Sequence, residues 1–179
     1  MSSLIFTKEL YFVTTTVIDW MDVFTRPTYK HIVIESLQFC QKHKGLEIYA
    51  WVLMTNHLHM IVGVKGNDSI GDVMRDFKKF TSKSLVKAIE ENEKESRKEW
   101  LLDRCWFRGA NDRKISNFKF WQDGFYVEHI HSMDFYRQKR DYIHMNPVRQ
   151  EIVQCPEEYL YSSARDYLGG KGLLDVVVI

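Results

Sequence analysis

Residues 48–64, IYAWVLMTNHLHMIVGV, decide the fold. Two apolar stretches of strand length, 48–54 and 57–64, are joined by Thr55-Asn56 alone. An asparagine in so short a link suits a tight turn, so the run predicts an antiparallel hairpin. A parallel pair would need a crossover of a dozen or more residues, which argues against a doubly wound sheet.

Upstream, YFVTTTV at 11–17 is β-branched and aromatic and predicts a first strand. Pro27 opens a helix over 28–44, where Ile32, Val33, Leu37 and Phe39 or Cys40 recur at helical spacing and Gly45 stops the pattern. Downstream, Ser69 caps a long helix to about 93 that turns Ile70, Met74, Phe77, Leu85 and Ile89 inward. Its outer face carries Arg75, Lys79, Lys83 and Lys87 as a basic stripe. The charged stretch 90–99 reads as a solvated helix end or a mobile loop. A strand at 124–131, a helix at 134–145 ended by Pro147, a short helix within 156–167 and a strand-like LLDVVVI tail complete the chain. The order strand, helix, strand, strand, helix, strand, helix predicts an α+β, ferredoxin-like sandwich, a central antiparallel sheet with helices packed on one face. One domain over 1–179 is expected, with a core at about 11–167 and a tail at 168–179.

At 179 residues, with 45% hydrophobic and 14% aromatic side chains, the chain can bury a real core, which excludes wholesale disorder. Lysine plus arginine number 25 against 24 acids, so a net charge of +1 provides no global field and any basic surface must be local. Cys40, Cys105 and Cys155 are odd in number and far apart, which fits neither a disulfide framework nor a zinc knuckle and implies a reducing, cytoplasmic setting. No apolar run approaches the roughly 18 residues that a membrane span requires, so no membrane association is expected.

His57 and His59 lie two apart on a predicted strand and so share a face, where two imidazoles could hold one divalent cation. His129 and His131 compete on the same logic, and spacing cannot choose between the pairs. Tyr142 and Asn146, four apart on a predicted helix, would put a phenol beside an amide oxygen. Ionising a free phenol at pH 7 costs about 4 kcal/mol, which a nearby cation can offset. Segment 104–121, RCWFRGANDRKISNFKFW, interleaves Arg104, Arg108, Arg113, Lys114 and Lys119 with five large aromatics. Basic groups that track phosphates and rings that stack on unpaired bases suit single-stranded nucleic acid; alternatively the same rings anchor a long loop to the core.

Four blocks in order, WVLMTNHLHMIV at 51–62, FWQDGF at 120–125, YIHMNPV at 142–148 and YLYSSARDY at 159–167, resemble the IS200-like, HUH-type single-tyrosine transposases. Within that family the REP-associated tyrosine transposase branch is the nearest in pattern, and the similarity spans about 11–167. The resemblance implies that His57 and His59 bind a divalent metal, Mg2+ or Mn2+, which demotes His129 and His131. It implies Tyr142 as nucleophile and Asn146 as the third ligand. The implied reaction is attack on single-stranded, hairpin-forming DNA, giving a 5′-phosphotyrosine link and a free 3′-hydroxyl, with rejoining that needs no ATP. Arg75, Lys79 and Lys83 with the 104–121 segment would bind the DNA, and either a monomer or a homodimer is compatible. The sequence departs from the family pattern at Thr55, where proline is common, and at Gln150-Glu151, where Ala-Gly is common. A DNA-binding module that recognises repeat hairpins on the same scaffold without cutting them is the alternative.

Overall fold

A computed structural model describes residues 9–112 and 117–179. Its sheet contains β1 (Tyr11–Thr16), β2 (Leu46–Leu53), β3 (His57–Val64) and β4 (Tyr126–His129), in the order β2-β3-β1-β4 with every pairing antiparallel. That is the ferredoxin-like order, and the α+β class read from the sequence holds. The predicted hairpin is present: the Met54 amide donates to the His57 carbonyl at 2.8 Å, and Thr55 and Asn56 form the connection.

Between the strands run α1 (Pro27–His43), α2 (Ile70–Glu91), α3 (Lys98–Ala110) and α4 (Met133–Arg149). Pro27 occupies the first turn of α1, where its missing N–H costs nothing. Gly45, just beyond α1, has φ +65°, and a Cβ there would sit 2.1 Å from the Lys65 carbonyl oxygen, so the stop signal is also a close approach to the end of β3. Ser69 caps α2 through a reciprocal pair with Asp72, whose amide donates to Ser69 Oγ at 3.1 Å.

Register assigns the faces. Val13 pairs with Met60, Thr15 with Leu58 and Trp51 with Met60, so these side chains share one face, and Val13, Leu58, Met60 and Trp51 are fully buried. Each such side chain contributes about 1.5–3 kcal/mol by leaving water. Helices α1 and α2 pack on one another, and α1 also packs against β2. Helix α4 lies across the other face of the sheet, where its Tyr142 ring meets His59 and Phe12. Phe12 and Ile61, paired across β1 and β3, put buried apolar surface on the face that α4 meets.

Four local expectations change. Helix α2 stops at Glu91 and the charged run folds back into α3, with Glu95 only 4% exposed beneath Arg26 and Arg97. Part of the presumed 104–121 loop is therefore helix, and Gly109 allows it, since a Cβ there would meet the Phe118 backbone at 2.5 Å. Pro147 lies inside α4 rather than ending it: near the C-terminus the ring removes one bond, and the Pro147 carbonyl still accepts from Ile152 at 2.9 Å. In place of a helix over 156–167 there are two single 3-10 turns, Pro156–Glu158 and Asp166–Leu168, and the LLDVVVI tail forms no strand, although the Val177 amide donates to the Ile48 carbonyl at 2.9 Å. All three cysteines are free thiols, and burial pushes Cys40 up to about 11. No helix among the described residues is long and apolar enough to cross a membrane.

Candidate active site

Thr14 faces His59 and Thr16 faces His57 across β1 and β3, so Phe12, Thr14, His57 and His59 project from the sheet toward α4. The two imidazole centroids are 4.6 Å apart. His59 Nδ1 is 2.6 Å from Thr14 Oγ1, and His57 Nδ1 is 2.7 Å from Asn56 Oδ1. The Asn56 amide nitrogen is itself engaged, donating to the Trp20 carbonyl at 3.1 Å and to Asp22 at 3.0 Å, so its oxygen is left to accept from His57. With Nδ1 donating, His57 keeps the lone pair on Nε2, as happens in metal-binding histidines whose other ring nitrogen is held by a hydrogen-bond acceptor. Burial lowers the pKa of His57, opposed by Asp22. Burial, with the charges of His57 and Lys139, takes His59 down to about 3. Both rings are therefore neutral near pH 7, with lone pairs to donate.

Tyr142 lies on α4 with its ring centroid 5.3 Å from that of His59, nearly edge-on, and 38% of the residue is exposed. Asn146 follows one turn later and is buried; its amide nitrogen donates to the Tyr142 carbonyl at 3.3 Å, so the oxygen is the atom free to act as a ligand. The YLYSSARDY block explains why α4 sits where it does. His144 Nε2 meets Ser163 Oγ at 2.9 Å, and the Ser163 amide donates to the Trp51 carbonyl at 3.0 Å. Two turns earlier on α4, the Tyr136 and Tyr167 hydroxyls are 2.5 Å apart, and Tyr167 donates to the Tyr49 carbonyl at 2.6 Å. The block stitches α4 to the outer edge of β2.

A cleft of about 300 Å3 opens between sheet and helix, lined by Phe12, Thr14, His59, Tyr126, Lys139 and Tyr142. Lys139 was not anticipated from the sequence, although its place three residues before Tyr142 puts it on the same helix face. Its ammonium is 4.5 Å from the Phe12 centroid and 2.7 Å from Glu128 Oε2, which also accepts from the Tyr126 hydroxyl at 2.9 Å. Arg149 was likewise missed, with its guanidinium carbon 5.5 Å from the Tyr142 centroid.

The rival histidines lie elsewhere: His129 pairs with Tyr11, on the face opposite Phe12, and His131 stacks on Phe135 at 4.6 Å. Arg75, Lys79 and Lys83 form the expected exposed stripe, but on α2, away from the cleft, and Arg75 is bound to Asp72 and Asp76. Arg104 and Arg108 project from α3 toward Asp19, with Arg104 at 3.8 Å and Arg108 Nε at 3.2 Å. Arg113 and Lys114 lie outside the described residues. The open question about the aromatics of 104–121 divides: Phe120 and Trp121 are buried anchors, whereas Trp106 and Phe107 are exposed.

Among the described residues no third His, Cys, Asp or Glu joins the histidine pair, so any further donor there is of another type. A ferredoxin-like sheet that turns a His-Leu-His pair toward a tyrosine on a crossing helix defines the class, an α+β domain with a His-x-His and tyrosine cleft. The profile of the family described as "Transposase IS200 like" matches residues 10–110, more than half the chain, and the chain belongs to that family. The matched stretch includes His57 and His59 and ends before α4. A solved REP-associated tyrosine transposase bound to a REP hairpin shares the fold at a TM-score of 0.61, with 19% identity over 99% of this chain and 92% of that one. A Deinococcus radiodurans protein described as a candidate transposase aligns over 80% of this chain and 94% of its own, with 17% identity and a TM-score of 0.44. No curated protein matches the chain in sequence.

Proposed function

We propose that this chain is a metal-dependent transesterase of single-stranded DNA, of the REP-associated kind, that cleaves and rejoins strands at hairpin-forming repeats. The observation that carries the reading is the Tyr142 ring 5.3 Å from His59 at the floor of an open cleft. Membership of the IS200-like family supports it, and the fold neighbour bound to a REP hairpin suggests the form of the substrate. In the proposed step the phenolic oxygen of Tyr142 bonds to phosphorus and the P–O3′ bond breaks. The phenol proton passes to solvent, and the departing 3′ oxygen takes one up. Since one phosphoester replaces another, the reverse attack by a 3′-hydroxyl reseals the strand without an external energy source.

His57 and His59, both neutral, are the residues that would hold a divalent cation such as Mg2+ or Mn2+, with the Asn146 amide oxygen proposed as the third donor. When bound, such an ion supplies Lewis-acid polarisation of the scissile phosphate. Thr14 and Asn56 hold the imidazoles in orientation, and the His144–Ser163 and Tyr136–Tyr167 contacts hold Tyr142 over them. Lys79, Lys83, Arg104 and Arg108, with Arg113 and Lys114, are proposed to contact phosphates of the hairpin outside the cleft, with Trp106 and Phe107 open to unpaired bases. Incubation with labelled hairpin DNA and Mn2+, followed by denaturing electrophoresis, tests the reading. A protein-linked 5′-phosphate fragment is expected, and binding without any adduct on any hairpin would favour the non-cleaving module.

A further inference from the structure

We propose that Lys139 holds the scissile phosphate against Tyr142, a role that rests on the reading of this cleft as a strand-transfer site. Lys139 is the one cationic side chain lining the cleft among the described residues, and it shares that lining with Tyr142 and His59. Lys139 and Tyr142 are three apart on α4, so both groups stand over the same turn. The side chain is about four-fifths covered, and the ammonium lies over the Phe12 ring at 4.5 Å and the Phe135 ring at 5.1 Å. Phe12 in turn stacks on His59 at 5.5 Å and meets Tyr142 edge-on at 6.1 Å. One ring thus fixes the distance among cation, imidazole and phenol.

The present partner of Lys139 shows what the position binds. Glu128 places a carboxylate oxygen 2.7 Å from the ammonium at the rim of the cleft, the spacing that a phosphate oxygen takes in a charge-assisted hydrogen bond. Attack by a phenol on a phosphodiester builds negative charge on the non-bridging oxygens, and a fixed cation in a partly desolvated cleft stabilises that charge more in the transition state than in the ground state. Glu128 holds Lys139 ready in the absence of DNA, with the Tyr126 hydroxyl steadying the carboxylate. An entering phosphate displaces Glu128, which can swing to solvent because its side chain is about one-third exposed.

A structural clamp between β4 and α4 is the competing role for the same ion pair, and the two roles separate on three variants of the full chain. Lys139→Gln is expected to slow adduct formation on hairpin DNA in Mn2+ by about 100-fold. On the Tyr142→Phe background it is expected to reduce the salt slope of single-strand binding by about 0.7, the loss of one phosphate contact. Lys139→Arg should restore most of both. Glu128→Gln breaks the same ion pair but leaves the ammonium in place, and is expected to tighten single-strand binding by about threefold as the competing carboxylate disappears. Wild-type adduct rate and salt slope in Lys139→Gln would overturn the proposal, as would a loss in Glu128→Gln equal to that in Lys139→Gln, which is the clamp result. If the wild type forms no adduct on any hairpin, the cleavage reading fails by itself, and the salt slopes still decide whether Lys139 holds a phosphate.

Discussion

Thr14 Oγ1 lies 2.6 Å from His59 Nδ1, and this bond across two neighbouring strands orients the imidazole that faces Tyr142. The contact is a product of register: a one-residue slip of β1 against β3 would turn Thr14 to the other face and leave His59 without a partner. The geometry of the site therefore depends on the sheet as much as on the residues that do the chemistry.

Thr14→Val keeps the volume and the strand preference but removes the hydroxyl. The fold should persist while Mn2+ affinity falls by about 10- to 100-fold, the usual effect of losing an outer partner of a ligating histidine. Calorimetric titration of Mn2+ into the two proteins measures it, and equal affinities would show that the threonine does not orient the ring.

His57→Ala should abolish cleavage at ordinary metal concentration and regain part of it at high Mn2+, because His59 and Asn146 remain. A rate that stays at wild-type level would remove His57 from the site.

Acidification should destabilise the protein in a window set by its buried histidines. Burial, with the Arg140 charge, takes His144 down to about 4, opposed by Asp141, and His59 lies at about 3. Each ring binds its proton less readily folded than unfolded, so the unfolded state gains protons first as pH falls below about 6.5, and stability drops until the folded pKa is reached. Each ring contributes a slope of up to about 1.4 kcal/mol per pH unit in that window. Urea denaturation between pH 7 and 4 should show a shallower loss in His144→Gln than in the wild type; parallel curves would contradict the linkage.

Glu95 is buried with Arg26 Nε at 2.6 Å and Arg97 Nε at 3.1 Å, and accepts from the Tyr29 hydroxyl at 3.2 Å. Burial alone would raise its pKa, but the hydrogen bonds from Arg97 and Arg26 outweigh this and hold it at about 2. Glu95→Gln should cost about 3 kcal/mol, since it leaves two guanidinium groups facing a neutral amide, with no effect on Mn2+ affinity. Urea unfolding and metal titration read the two quantities separately.

Lys79→Ala with Lys83→Ala should reduce the salt slope of hairpin binding by about 2 if both contact the duplex stem. An unchanged slope would confine DNA contacts to the cleft and α3.

The sheet was legible because two apolar runs of strand length joined only by Thr55-Asn56 permit little else, and the shared face of His57 and His59 followed from strand periodicity. Glu95 was not legible. A glutamate inside KESRKE reads as solvated, and only the fold reveals that Arg26, 69 residues away, meets it. Pro147 misled for a related reason: proline ends helices on average, but α4 is held by Tyr136, His144 and the C-terminal block, and packing overrides one missing N–H. Lys139 and Glu128 escaped notice because their pairing joins β4 to α4, a contact that neither spacing nor composition encodes.

Covalent trapping on Tyr142→Phe tests the central claim most directly. The variant loses only a hydroxyl from a ring that is 38% exposed, so fold and hairpin affinity should match the wild type. With labelled hairpin DNA and Mn2+, wild type is expected to give a denaturation-resistant adduct carrying the 5′ phosphate of the downstream fragment, and Tyr142→Phe none. An adduct of the same yield in Tyr142→Phe would contradict the assignment and place the nucleophile on another residue.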